Sequence, residues 1–142
     1  MNSQRSGTWL AIVLAFGSLS AGCGRSDIPE LGQVKGRVAA RGQPLPGVMV
    51  QFIPESGGRP GSGITDEQGE FELTYTADYT GTKVGPNRVE ITTIWPDGEP
   101  PPGEKEKIPA KYNSQSELKE DVQPGDNFFD FNLELAEDAP TN

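Results

Sequence analysis

The sequence has no histidine and a single cysteine among its 142 residues. Without histidine, the commonest metal ligand and the commonest general base near neutral pH are both missing. A single thiol allows no internal disulfide. Basic residues are also few. The 12 Lys and Arg stand against 21 Asp and Glu, and the formal charge of −9 argues against a basic patch that binds nucleic acid or anionic lipid.

Long apolar runs are scarce too, and the one that stands out lies at the N-terminus. Residues 1–22 combine a polar start containing Arg5, an apolar stretch over residues 9–19, and small residues up to Gly22. The apolar stretch is shorter than the roughly 20 residues that cross a bilayer as a helix, so it predicts a cleaved signal peptide. Removing residues 1–22 leaves 11 basic and 21 acidic residues, a formal charge of −10.

The residues before Cys23 resemble a bacterial lipoprotein signal, in which Leu, a small residue and Gly or Ala precede a lipid-modified cysteine. Leu19 stands four residues before Cys23, one position earlier than in the commonest form. The resemblance implies cleavage between Gly22 and Cys23, a diacylglycerol thioether on Cys23, and an acyl chain such as palmitate on the new amino terminus. Several chains together give stable membrane attachment. Gly24, in place of Asp, favours the outer membrane. The alternatives are a free thiol or an ordinary secretory cut nearby.

Beyond the cysteine, strand signals recur and no segment keeps a helical period. Gly (18) and Pro (13) separate short apolar runs, as turn residues do. We predict a signal peptide at residues 1–22, a lipidated tether at 23–32, one folded domain at 33–136 and a tail at 137–142.

The domain is predicted to be an all-β, Greek-key β-sandwich of about seven strands. The predicted strands are residues 34–38, 48–53, 62–65, 70–75, 87–95, 118–122 and 129–135. The third and fourth form a hairpin around a turn at residues 66–69, and residues 96–107 form an exposed, proline-rich loop. In the last strand, Phe129, Phe131, Leu133 and Leu135 share the buried face.

Three segments, in their order and spacing, resemble the carboxypeptidase regulatory-like or transthyretin-like family of prealbumin-like sandwiches. They are residues 34–38 with 44–48, residues 50–54 and residues 65–71, and in the last one Thr65, Asp66, Gly69 and Phe71 match the family turn T-D-x-x-G-x-[FY]. Residues 108–118 are also similar to a stretch of small bacterial lipoproteins of this type. The resemblance implies an accessory, structural or adhesive domain without a particular activity.

No catalytic residue is predicted, and we expect a non-enzymatic protein without a cofactor. The family branch that hydrolyses 5-hydroxyisourate depends on histidines and a C-terminal Tyr-Arg-Gly-Ser, and this chain has neither. It also has no G-x-S-x-G nucleophile motif. Glu70 and Glu72 fall on the predicted solvent face of a strand, whereas an acid and base pair needs contrasting environments.

The leading hypothesis is a cell-envelope module, held at the membrane by lipid on Cys23, that is structural or binds another protein and does not bind nucleic acid. The alternative is a surface receptor for glycan or Ca²⁺. Oxygen donors for Ca²⁺ are found in or near turns, at Asp66, Glu67, Asp126 and Asp130. Aromatic platforms for glycan are Tyr75, Tyr79, Trp95 and Tyr112.

Overall fold

Strands form wherever apolar and polar residues alternate in the sequence. The computed structural model describes residues 28–135, and this part of the chain contains eleven strands and one short 3-10 turn, Ala110–Tyr112. The strands are β1 (Leu31–Ala40), β2 (Gln43–Pro44), β3 (Val48–Pro54), β4 (Gly61–Ile64), β5 (Glu70–Glu72), β6 (Thr74–Thr76), β7 (Tyr79–Thr80), β8 (Thr82–Lys83), β9 (Gly85–Thr93), β10 (Lys119–Val122) and β11 (Gly125–Leu133). The all-β prediction is confirmed.

The strands form two sheets that pack face to face as a sandwich. In the first sheet, β1 is central, with β11 on one side and the short strands β2, β5 and β8 on the other. The second sheet has the order β10-β9-β3-β4-β6-β7. Strand β1 begins two residues before the predicted start of the domain, at Leu31. No helix in residues 28–135 is long and apolar enough to cross a membrane.

The hydrophobic core lies between the sheets and is built by alternate residues of the long strands. Val34 and Val38 of β1 face Val50 and Phe52 of β3, and all four are fully buried. Strands β9 and β11 add further large side chains to the same cluster, namely Val89, Ile91, Phe131 and Leu133. Burying a side chain of this size contributes roughly 1.5–3 kcal/mol, so the alternation itself determines which face of each strand points inward.

The aromatic part of the core joins β11 to the opposite sheet. The Phe52 ring lies 5.5 Å from the Phe129 ring and 6.3 Å from the Phe131 ring, centroid to centroid. Phe131 also stacks on Phe71 at 6.3 Å. The predicted packing of the last strand against an opposing sheet is therefore confirmed.

The predicted hairpin is wrong in one respect. Residues 70–75 do not continue as one strand beside β4, because the chain passes from one sheet to the other at Leu73. Strand β5 pairs with β1, and only β6 pairs with β4, through Ser62 and Thr74. The N–H of Leu73 donates to the carbonyl of Val34 at 2.9 Å, and its buried side chain lies in the core between the two sheets.

The described part of the chain has more strands than the predicted seven, in part because residues 70–75 are divided where the chain passes between the sheets. Residues 78–85, predicted as a loop, contain the short strands β7 and β8. The proline-rich loop at 96–107 is confirmed, with every residue exposed. Its end is held by Glu106, whose carboxylate accepts the N–H groups of Thr93 and Ile108.

Strands β1 and β11 run parallel, which the sequence did not predict. Their register runs from Gly32 beside Gly125 to Ala40 beside Leu133. The two longest strands of the first sheet therefore begin at the same end of the sandwich, the end that follows the predicted tether.

Candidate binding surface

Two predicted residues, Gly22 and Cys23, lie outside the described residues, so the predicted cleavage and lipid site has no structural description here.

The predicted turn motif is brought together as a structural unit. Asp66 Oδ1 accepts the N–H groups of Gln68 and Glu70, both at 2.9 Å, and Gly69 takes a φ of 74°. A Cβ at Gly69 would lie 2.4 Å from the carbonyl oxygen of Val38, so glycine is required by space as well as by conformation.

The remaining two motif residues are buried and connect the turn to the core. The Thr65 hydroxyl accepts the N–H of Val48 at 3.0 Å and donates to the carbonyl of Leu45 at 2.8 Å. Phe71 stacks on Phe131. All four motif residues thus stabilise the fold.

The four predicted calcium donors are not gathered into one site. Among residues 28–135, no three His, Cys, Asp or Glu side chains come together as a metal cluster. Asp66 uses its carboxylate to hold its own turn, while Asp126 and Asp130 lie on β11. Their positions on separate elements do not support the calcium alternative.

The four predicted glycan aromatics are also dispersed. Tyr75 and Tyr79 belong to β6 and β7, Trp95 follows β9, and Tyr112 ends the 3-10 turn. Tyr79 is the most exposed, at 44%. Tyr112 packs against the core, and its hydroxyl accepts the N–H of Glu134 at 3.1 Å. Within residues 28–135, none of these four rings stacks on another aromatic ring.

An exposed aromatic residue that the sequence reasoning missed lies on β11. Phe128 is 58% exposed, although its neighbour Phe129 is packed against the core. The alternation of β11 explains this, because Asp126, Phe128 and Asp130 share the outer face of the sheet. The sequence already contained this information. Asp130 was predicted to point away from the core, and strand alternation places Phe128, two residues earlier, on the same face.

Charged residues surround Phe128 on the outer face of the first sheet. Lys35 lies beside Phe128 in the register and Arg37 beside Asp130. We call the surface formed by Lys35, Arg37, Asp126, Phe128 and Asp130 the β11 face. Lys35 and Phe128 line an open hollow of about 330 Å³.

The two cations of the β11 face form ion pairs with glutamates of β5, which lies on the other side of β1. Lys35 pairs with Glu72 at 3.7 Å, and Arg37 pairs with Glu70 at 3.3 Å. Both glutamates are exposed, as predicted. The two aspartates of β11 differ from them, since within residues 28–135 neither Asp126 nor Asp130 takes part in an ion pair.

Nearby amides are already occupied by internal hydrogen bonds. The Gln33 side chain accepts from the Thr80 hydroxyl at 2.5 Å. The Asn127 amide donates to the carbonyls of Gln123, Gly125 and Gln33, and its oxygen accepts the N–H of Gln123. The hollow beside Phe128 is therefore lined by an aromatic ring and charges, with its amide groups used by the protein itself.

The second sheet also exposes an apolar side chain, Ile64, at 57%. It lies next to Met49 in the register. Its strand, β4, is flanked by β3 and β6, whereas β11 pairs with β1 alone among the described strands. In the described part of the chain, β4 thus has a neighbouring strand on each side, although β6 pairs with it only at Ser62, whereas β11 has a free edge.

Two ionisable groups away from the β11 face have shifted pKa values. Burial raises the pKa of the Glu120 carboxyl on β10 above its ordinary value. Hydrogen bonding to Glu134, followed by that to Tyr112, raises the pKa of Lys111 on the surface. Both pKa shifts arise from burial or from contacts within the fold, and neither group belongs to the β11 face.

No family model matches the chain, and no curated protein matches it. Among solved structures, it is similar to a DUF3823 family protein from Parabacteroides merdae, with 18% identity and a TM-score of 0.42 over 76% of this chain. The matched part is 48% of that protein, so this chain spans about half of its length.

A second similar structure is the dioxygenase domain of a dioxygenase carbohydrate-binding protein fusion from Streptomyces sp. SirexAA-E. Its identity is 21% and its TM-score 0.39, over 80% of this chain and 85% of that one. At these values, neither neighbour identifies a family or an activity for this protein.

Proposed function

We propose that this protein is a non-enzymatic, lipid-anchored module of the cell envelope that binds another protein through the β11 face. The single observation that carries the proposal is the exposure of Phe128 at the free edge of the first sheet. An exposed large aromatic side chain with charged neighbours is typical of protein interfaces, where aromatic residues are enriched and a few residues carry most of the binding energy.

The chemistry of the β11 face favours a protein partner over a glycan. A sugar site needs an aromatic platform together with free hydrogen-bonding groups that read the hydroxyls. Here the amides of Gln33 and Asn127 are used internally, and the groups left beside Phe128 are charged. Charges that flank an apolar centre suit the rim of a protein interface.

The absence of histidine from the chain supports the non-enzymatic part of the proposal. The carboxylates nearest the β11 face, Glu70 and Glu72, are exposed and paired with cations. A solvated ion pair does not provide the contrasting environments that an acid and base couple requires.

The anchoring part of the proposal rests on Cys23 and the signal pattern before it. Residues 24–30 separate the lipid from β1, which begins at Leu31. A short tether of this kind holds the domain near the membrane. The family resemblance is consistent with this role, because the carboxypeptidase regulatory-like type serves as an accessory or adhesive domain.

The proposal is tested by comparing two matched substitutions, Phe128→Asp and Ile64→Asp. Each replaces an exposed apolar residue by an acid, on the first and second sheet respectively. Each variant is expressed in the bacterium from which the protein comes and is purified from its membranes after mild solubilisation. The co-purifying proteins are then quantified by mass spectrometry. We expect Phe128→Asp to lose a partner that both the wild type and Ile64→Asp retain.

Equal partner recovery with all three proteins would overturn the proposed binding surface. Thermal unfolding of both variants controls for folding, and we expect both to unfold near the wild-type temperature because exposed positions tolerate polar residues.

A further inference from the structure

We infer that the free edge of β11 receives an extended strand of the partner protein, with side chains that alternate basic, apolar, basic along the face of the sheet. This inference rests on the proposed function and specifies its binding mode. It is carried by three features: the direction of the β11 backbone groups, the spacing of the β11 side chains, and two aspartates that form no ion pair within residues 28–135.

The backbone groups of β11 face alternately towards β1 and away from it. The carbonyl of Leu133 accepts the N–H of Arg41 across the sheet, and the carbonyl of Phe129 points at Gly36 of β1. In a strand, the N–H and C=O of one residue point to the same edge and those of the next residue to the opposite edge. Asp126, Phe128 and Asp130 therefore direct their N–H and C=O groups to the free edge.

An open row of donors and acceptors of this kind is a template for one more strand. β11 is nine residues long, and in the described part of the chain no other element pairs with its outer edge. A partner strand would extend the first sheet and pair with these backbone groups, which gives affinity without dependence on sequence.

The side chains of β11 supply the specificity. Asp126, Phe128 and Asp130 are spaced two residues apart on one face, so a pairing strand places every second side chain opposite them. Arg37, beside Asp130, is paired with Glu70, and neither aspartate forms an ion pair in the described part of the chain. A strand with Lys or Arg opposite each aspartate and an apolar residue opposite Phe128 therefore complements all three positions.

The same pattern disfavours pairing between two copies of this chain. An antiparallel pair centred on Phe128 would place Asp126 of one copy opposite Asp130 of the other. Like charges directly opposite each other destabilise a strand pair. The β11 edge thus selects against a second copy and for a basic strand.

The test uses the full lipidated protein in detergent and blocked nonapeptides as probes. The basic probe is Thr-Thr-Lys-Thr-Val-Thr-Lys-Thr-Thr, and the acidic probe has Glu in place of both Lys. In an antiparallel pairing, the Lys and Val residues direct their N–H groups at β11. A third probe, N-methylated at Lys, Val and Lys, blocks these donors, and a fourth, N-methylated at the Thr residues on either side of Val, leaves them free.

Two charge-reversed proteins provide the matched comparison. Asp126→Lys with Asp130→Lys reverses the β11 edge, whereas Asp97→Lys with Glu99→Lys makes the same change of charge in the exposed loop. We expect the basic probe to bind the wild type and the loop variant alike, and the edge variant about tenfold more weakly, since two cross-strand pairs change from attraction to repulsion. The edge variant should prefer the acidic probe.

Strand addition also predicts that N-methylation at Lys and Val abolishes binding, while N-methylation at Thr does not. Absence of binding, equal loss with both N-methylated probes, or an edge variant that behaves like the loop variant would overturn the inference. If any of these occurs while co-purification still depends on Phe128, strand addition is wrong and the proposed function stands. If that dependence is absent as well, both are wrong.

Discussion

At the scale of single residues, the turn at residues 65–71 contains two residues whose roles could be predicted from local sequence and one whose role could not. Asp66 and Gly69 were recognisable as turn residues, because the bonds of Asp66 and the positive φ of Gly69 are local properties. The role of Thr65 was not recognisable. Its partners Val48 and Leu45 are 17 and 20 residues away in sequence, and only the folded chain brings them together.

Replacing Thr65 by Val keeps the side-chain volume and removes the hydroxyl. The N–H of Val48 and the carbonyl of Leu45 then lose a buried partner, which costs about 1–3 kcal/mol of unfolding free energy. Urea denaturation measures this loss. Thr74→Val, at an exposed threonine, is the matched control and should change stability by less than about 0.5 kcal/mol. Equal effects of the two substitutions would contradict the bridging role of Thr65.

Glu120 gives a prediction for pH. Burial raises its pKa above the ordinary value of 4.5, so the folded protein holds this proton more tightly than the unfolded chain does. The contribution of Glu120 to stability therefore falls as pH rises from about 4.5 through the folded-state pKa. Glu120→Gln should be more stable than the wild type at pH 7, with the advantage shrinking towards pH 4. Urea midpoints across this pH range measure it, and a constant difference between the proteins would contradict it.

At the scale of secondary-structure elements, β11 was predicted in part, since the strand begins at Gly125, four residues before its predicted start, and ends at Leu133, two residues before its predicted end. Its buried face followed from alternation, and Phe129, Phe131 and Leu133 pack where expected. Its parallel pairing with β1 did not follow, because alternation specifies which face is buried and carries no information about the neighbouring strand. The crossing between sheets at Leu73 was missed for a related reason, since both halves of the segment continue the same alternation.

Replacement of phenylalanine by alanine should have different effects on stability on the two faces of β11. Phe131→Ala removes a ring that contacts Phe52, Phe71 and Phe129, and should cost about 3–5 kcal/mol of unfolding free energy. Phe128→Ala, at an exposed position, should change stability by less than about 0.5 kcal/mol. Chemical denaturation compares the two directly. A large loss with Phe128→Ala would show that Phe128 supports the fold rather than a partner.

At the scale of the whole molecule, the proposed function divides the chain into an N-terminal segment predicted to specify location and a sandwich that presents a surface. The composition argued only against histidine-dependent chemistry, and the alternation predicted a β-sandwich. The candidate surface could be predicted only in part, because a free strand edge is a property of the sheet order and not of the strand itself.

The location segment predicts the covalent state of the mature protein. Intact-mass analysis of the membrane fraction should find a chain that begins at Cys23 and carries a diacylglyceryl group with an additional acyl chain. Cys23→Ala should remove the lipid mass, and it is the matched control for adventitious lipid. An unmodified Cys23, or an uncleaved chain of 142 residues, would contradict the proposed anchor.

Site-specific photo-crosslinking in intact cells tests the proposed binding surface most directly. A benzophenone amino acid is introduced at Phe128 and, as a matched control, at Ile64, which has nearly the same exposure. After irradiation, we expect a discrete protein adduct from position 128 that does not form from position 64. Adducts of equal yield from both positions, or an adduct from position 64 alone, would contradict binding through the edge of β11.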